Sequence, residues 1–350
     1  TYGNNQERTM QLGTNLDAGL SYPLYLGNVR GARIGVARAE LGLARLSLES
    51  YFRNLRADAA LAFYNSLKYR LLADVQEDTY RTMKQLSEAD SLRLLNGTIM
   101  EVDARQSAVE ARVQKNLTIS AEAGWRQSLV ELTRMMGSVR VDTSYLPHGT
   151  LEFPIREYRL DSLIALAKEN RIELQMAGMN TDLSEKTVRL VKAGRAPEIG
   201  LETGISYNSV AVNEIAPSPA HYAFNLGVSV PLKFSSVNRG ELQAAQLSVS
   251  QRRMEYLDAE QVVVAGVTHA FLEYRSQKKQ LEEFHSGLLT EAGEILQKKI
   301  YSYQRGETGL LEVINAQRTY NEIRRSFYET HYDYLAALIE LERAAGIWDM

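Results

Sequence analysis

Apolar and polar residues alternate almost without interruption from Met10 to Leu26. Met10, Leu12, Leu16, Leu20, Tyr22 and Leu24 fall on one side, and Gln11, Asn15, Asp17 and Ser21 on the other. A period of two puts successive side chains on opposite faces of a β-strand. The pattern returns at 197–208, where Ile199, Leu201, Ile205 and Tyr207 alternate with Gly200, Glu202, Gly204 and Ser206. It returns again at 221–233, where Tyr222, Phe224, Leu226 and Val228 alternate with Asn225, Gly227 and Ser229. Three strands are therefore predicted, over 10–26, 197–208 and 221–233, each with an apolar face ending in aromatics and a face of small polar residues. A membrane β-barrel around a wet lumen requires this pattern; a soluble sandwich gives the same alternation. Asn208 to Ala220, with Pro217 and Pro219, reads as the loop of a hairpin.

The remaining pattern is helical. All seven prolines lie at 23, 147, 154, 197, 217, 219 and 231, which leaves 24–146 and 232–350 free of them. Leu41, Ala44, Leu48, Tyr51, Leu55, Ala59 and Ala62 recur at spacings of three and four, as do Val313, Ala316, Tyr320, Ile323 and Phe327 and, farther on, Tyr334, Leu338, Leu341 and Ala345. Such spacing makes a seam on one helical face. Gly97 and Gly306 follow Asn96 and Arg305 where a left-handed residue would end a helix. Helices are predicted over 28–95, 97–137, 161–193, 236–304 and 308–346. The first would be about 100 Å long at 1.5 Å per residue. Seams this narrow on charged helices need partners, in a hairpin and in a neighbouring subunit.

The chain also repeats itself. Ser128–Gly137 (SLVELTRMMG) and Ala337–Gly346 (ALIELERAAG) share Leu, Glu, Leu, Arg and Gly at an offset of 209 residues. LSYPL at 20–24 matches VSVPL at 228–232, and Arg30-Gly31 matches Arg239-Gly240. The expected organisation is a first repeat over 1–137, a linker over 138–159 and a second repeat over 160–350. Each repeat combines strands with a long helical hairpin. By the offset, the first repeat's counterparts of helix 161–193 and strand 197–208 would precede residue 1, in roughly fifty further residues.

Composition narrows the function classes. The formal net charge of −3 over 350 residues gives no basic field for nucleic acid, and no cysteine is present for disulfides or thiolate chemistry. No run approaches the ~20 apolar residues of a membrane-spanning helix, so any passage through a bilayer would use strands. Catalytic, cofactor and metal motifs are missing. The five histidines are scattered at 148, 221, 269, 285 and 331, and Gly27, Gly31 and Gly35 lack the spacing of a dinucleotide loop. Glu101 and Asp103 form a carboxylate pair at a helix start, where negative charge also simply favours the dipole.

The chain resembles the outer-membrane efflux protein family, the TolC-like trimeric export ducts. The residues that carry the resemblance are YPL at 22–24 and VPL at 230–232, GTIMEVD at 97–103 and GETGLLE at 306–312, AQR at 316–318, and the two L-x-E-L-x-R-x-x-G helix ends. The resemblance implies a mixed α and β membrane protein. In it, the repeats of three protomers form a 12-stranded β-barrel, one strand per protomer being absent from this chain, continued by a periplasmic α-helical tunnel. It implies a passive conduit in the outer membrane and no enzyme. The implied partners are two further copies, the lipid bilayer, a periplasmic adaptor (membrane fusion) protein and an inner-membrane transporter of the resistance-nodulation-division or ABC type. Asp103, Tyr303, Glu312 and Asn315 match the family's pore gate, Gly97, Thr98, Gly306 and Glu307 its adaptor-contact turns, and Pro23 and Pro231 its strand-helix junctions. Thr308 stands where relatives carry an arginine linked to the aspartate matching Asp103, so that bridge is missing. Asn315 replaces an aspartate, which leaves one carboxylate ring, at Glu312. The residues alone leave a second class open: a non-conducting coiled-coil scaffold or periplasmic adaptor.

Overall fold

The computed structural model describes residues 14–137, 146–210, 219–231 and 239–347. In chain order the elements are β1 (Asn15–Tyr25), α1 (Val29–Leu95), α2 (Glu101–Met135), α3 (Leu160–Asn170), α4 (Ile172–Ala193), β2 (Glu198–Asn208), β3 (His221–Ser229), α5 (Arg239–Glu283), α6 (Leu289–Gln304) and α7 (Leu310–Ala345). The chain divides into two compact units, residues 1–45 with 176–257 and residues 46–175 with 258–350.

The first unit holds an antiparallel sheet of order β1-β2-β3. Its register aligns the alternation of all three strands. Leu16 lies opposite Tyr207 and Tyr207 opposite Tyr222; Ala18, Ile205 and Phe224 form the next row, and Tyr22, Leu201 and Val228 another. Asp17, Ser206 and Ala223 share a row on the other face, as do Gly19, Gly204 and Asn225. A slip of one residue would move every apolar side chain to the polar face, so register is strongly specified here. Among the described residues no element of the unit covers the apolar face. Leu16 is 64% exposed and Leu226 77%, and Leu20, Tyr22, Phe224 and Val228 are open as well.

The second unit has two cores. In one, Leu67 of α1, Leu163 and Ala167 of α3, Val263 and Val267 of α5 and Leu335, Leu338 and Leu341 of α7 bury together. In the other, Met83 and Leu86 of α1, Ala111 of α2, Tyr303 of α6 and Val313 and Ile314 of α7 bury together. The α7 seam expected from sequence is thus largely interior: Val313, Tyr334, Leu338, Leu341 and Ala345 are all buried. The seam expected on α1 is not. Leu41, Leu48 and Tyr51 are each more than half exposed on the single chain.

Several boundaries differ from expectation. The single helix expected over 161–193 is broken at Arg171, whose ψ of 121° is extended. There the Arg171 guanidinium donates to the carbonyls of Arg343 and Ala344 at the end of α7. The helix expected over 236–304 is interrupted by a wide turn at Phe284–Leu288 in which Gly287 has φ 107°, a conformation that only glycine enters without strain. Of the expected linker, 138–145 lies outside the described residues, and 146–159 is a strap bound to the core. Leu151 is buried, the Tyr274 hydroxyl donates to the Arg156 carbonyl at 2.6 Å, and Arg156 pairs at 3.2 Å with Glu342, which is fully buried. Pro147 and Pro154 keep this strap out of any helix, and its apolar side chains give it a reason to dock. The expected strand ends at 10–13 and 232–233, and most of the hairpin loop, lie outside the described residues.

Candidate functional site: the hairpin tips

Each helical hairpin of the second unit turns at a glycine, and the two turns are built alike. Gly97 has φ 68° and Gly306 φ 76°. The Gly97 and Thr98 amides bond the Leu94 and Arg93 carbonyls, and those of Gly306 and Glu307 bond the Tyr303 and Ser302 carbonyls, at 2.9–3.0 Å. These are paired helix-ending bonds that need a left-handed residue. Met100 and Gly309 then take extended backbone and start α2 and α7. Thr98 and Glu307 are exposed, as are the apolar side chains of Leu95, Met100 and Val102 around the first tip.

Behind the tips the hairpins are joined by a buried link. The Tyr303 hydroxyl of α6 donates to Asp90 Oδ1 of α1 at 2.9 Å; Tyr303 is 5% exposed and the Asp90 side chain fully buried. Arg93 stands 3.6 Å from the same oxygen, with its guanidinium 4.9 Å from the Tyr303 ring centre. Burial pushes the Asp90 carboxyl above the usual carboxylate range, against the opposing pull of Tyr303, Ser107 and Arg93, and the nearby charge of Asp103 adds to the rise. Burial and the Asp90 carboxylate likewise push the Tyr303 phenol up.

The other expected gate residues divide. Asp103 is half-buried in the first turn of α2, close enough to disfavour the charge on Asp90. Glu312 is about half exposed and is ion-paired with Lys299 of α6. Asn315 is exposed on α7. Of the four, Tyr303 is the one that the buried link to Asp90 engages directly. Farther from the tips Arg318 pairs with Glu110 at 3.1 Å and Arg324 with Asp78 at 3.3 Å, so α7 is laced to both helices of the first hairpin. The two expected junction prolines each lie within two residues of a strand's end. Pro23 lies within edge strand β1 opposite Gly200, a place where its missing N–H is tolerated, and Gly27 and Asn28 make the turn into α1. Pro231 follows β3, and the residues leading from it to α5 lie outside those described. No cluster of metal-ligating side chains occurs among the described residues.

The model of the family described as "Outer membrane efflux protein" matches residues 163–347. The chain belongs to the outer membrane efflux protein family. Among its relatives, the cobalt-zinc-cadmium resistance protein CzcC of Cupriavidus metallidurans is 20% identical over 332 residues, covering 95% of this chain and 75% of that protein. The proteases secretion protein PrtF of Dickeya chrysanthemi is 26% identical over 330 residues, covering 89% and 69%. Among solved structures, the Campylobacter jejuni CmeC outer membrane channel superposes with a TM-score of 0.76 at 12% identity, over 95% of this chain and 76% of that one. This efflux-family fold is shared along nearly the whole chain, strands and hairpins alike.

Asp90 and Arg93 were missed because each reads, alone, as a solvated charge on a helix. The repeat held the signal. Shifted by 209, Asp90 falls on Lys299 and Asp103 on Glu312. The same two positions hold two carboxylates in the first hairpin and an ion pair in the second.

Proposed function

We propose that this outer membrane efflux family member is the outer-membrane channel of a tripartite efflux or secretion system, a passive conduit from periplasm to exterior powered by an inner-membrane pump. The observation that carries this reading is the sheet. Its three strands align their apolar side chains on one open face, and the outer edges of β1 and β3 have no strand partner among the described residues. In water such a face and such edges invite aggregation; in a bilayer, closed with the strands of two further copies, both are satisfied. The exposed α1 seam is the matching helical surface for a neighbouring protomer. A soluble scaffold or adaptor has no use for the uncovered sheet face.

In this reading the hairpin tips form the periplasmic gate. The Tyr303–Asp90 link holds the second hairpin to the first, Asp103, Glu312 and Asn315 line the constriction, and the turns at Gly97, Thr98, Gly306 and Glu307 meet the periplasmic adaptor. This chain is similar both to a relative named for metal resistance and to one named for protease secretion, which supports a reading in which the pump chooses the cargo. The full-length protein, extracted from outer membranes in mild detergent and cross-linked, is expected to run as a trimer and to conduct in planar bilayers. Monomers only, or recovery in the soluble fraction, would refute the reading.

A further inference from the structure

The helix ends that adjoin the sheet are rich in cations, most of them without an ion-pair partner among the described residues. Residues 27–45 hold Arg30, Arg33, Arg38 and Arg45 against Glu40 alone, and residues 186–197 hold Lys186, Arg189, Lys192 and Arg195 with no carboxylate. Lys186 pairs with Asp182 on its own helix, and Arg33 stacks 5.5 Å from the Tyr25 ring centre. The other six are exposed and make no ion pair among the described residues. Elsewhere many arginines do have carboxylate partners, Arg252 and Arg253 in the same unit and Arg53, Arg318 and Arg324 in the second. Both cation runs border one end of the sheet, because the last residue of β1, Tyr25, pairs with the first of β2, Glu198. Cations at the end of α4 suit its dipole. Those at the start of α1 do not, and α1 has no acidic residue in its first turn to offset them. The repeat nevertheless places Arg239 at the first position of α5, the counterpart of Arg30. A groove of about 310 Å³ opens between the start of α1 and the end of α4, walled by Asn28, Gly31 and Gly35 and carrying Lys186 and Arg189.

We propose that this collar binds the phosphates of anionic phospholipids, phosphatidylglycerol in particular, in the leaflet that meets the helix-side end of the sheet. The inference rests on the barrel reading. The sheet's uncovered face runs out at Leu24 and Leu26, both exposed, and the arginines begin four residues later. Long cationic side chains there keep their stems on apolar surface and their heads at the phosphate plane, where a guanidinium donates two parallel bonds to one phosphate.

The test is spin-labelled lipid association with the full-length protein in vesicles, comparing phosphatidylglycerol with phosphatidylcholine. The expected result is a preference for phosphatidylglycerol of about fivefold at low salt. It should weaken at ~0.5 M salt, where the charges are screened. It should fall to near unity in a variant combining Arg30→Gln, Arg33→Gln, Arg189→Gln and Lys192→Gln. No preference in the wild type, or an undiminished preference in the variant, overturns the proposal. So does an undiminished preference accompanied by loss of the trimer, which would assign the collar to carboxylates of a neighbouring copy. Flotation with the vesicles is scored separately: a protein that floats without lipid preference refutes the collar alone, and one that floats with no vesicle refutes the barrel.

Discussion

Replacing Tyr303 by Phe tests whether the buried link behind the tips holds the hairpins together. The change removes one hydroxyl and leaves the ring, so packing against Met83, Ala111 and Val313 is retained. It takes from Asp90 a 2.9 Å hydrogen bond in a place where the carboxylate is fully buried and water cannot replace it. A hydrogen bond to a charged group contributes about 1.5–3 kcal/mol, and Arg93 at 3.6 Å compensates only part of that. The local opening free energy of the tip should therefore fall by about 2 kcal/mol at pH 8. Amide hydrogen exchange in peptides spanning 84–107 and 296–314 reads this directly, because it reports local opening without requiring reversible unfolding of a membrane protein.

The pH dependence has a defined sign. Asp90's folded pKa lies above the ordinary carboxyl value, so the native tip binds a proton more readily than the opened tip. Tip stability then rises as pH falls through the raised pKa, and it drops as pH climbs from the ordinary carboxyl range through that value. Tyr303 opposes the rise, so Tyr303→Phe lifts the Asp90 pKa further and its penalty should be larger at pH 8 than at a pH below the ordinary carboxyl value. Asp90→Asn should abolish the pH dependence and shrink the Tyr303→Phe penalty, giving a coupling energy of 1 kcal/mol or more. A penalty equal at both pH values, or unchanged in the Asp90→Asn background, would refute the link. If the link also holds the gate, both variants raise open probability in planar bilayers.

Leu16→Arg should lower membrane insertion by about 2–4 kcal/mol if its row lies near the bilayer midplane, whereas Asp17→Arg, on the opposite face, should insert normally; equal effects would reject the register as a lipid–lumen boundary. Glu312→Gln should leave Lys299 unneutralised and shift the reversal potential under a salt gradient toward anions; an unchanged potential would remove Glu312 from the pore lining. Arg156→Met should destabilise the second unit toward the lower end of about 3–5 kcal/mol, since it strips a partner from the buried Glu342 while Arg156 itself is partly exposed. Arg156→Lys should recover part of that loss, and a thermal melt indistinguishable from wild type would show the strap to be loosely held.

The sheet was legible because its physics is local. A period of two over eleven residues has one strand reading, and three such stretches with matched faces fix their own register. The tip turns were legible for the same reason, since glycine after a long seam signals a left-handed end. What was not legible is long-range. Arg171 breaks its helix because carbonyls 172 and 173 residues away accept from its guanidinium, and no local propensity reports that. The strap at 146–159 looked like a linker because its apolar residues have no period; their partners lie on α3, α5 and α7.

Two seams of like spacing, on α1 and on α7, show the limit of pattern most clearly, since they met different fates. On α7 the seam is interior, closed by α5 and the strap, whereas on α1 the positions Leu41, Leu48 and Tyr51 stay exposed in the single chain. Hydrophobic spacing states that a face requires a partner, without naming it. An apolar seam that remains open after the chain has folded must find its partner elsewhere, and the open α1 seam and the unpaired outer edges of β1 and β3 make the same demand in the two currencies of protein structure, side-chain burial and backbone hydrogen bonding. In the proposed trimer a second and third copy of this chain would answer both at once, whereas a lipid surface alone would cover the sheet face and leave the strand edges unsatisfied.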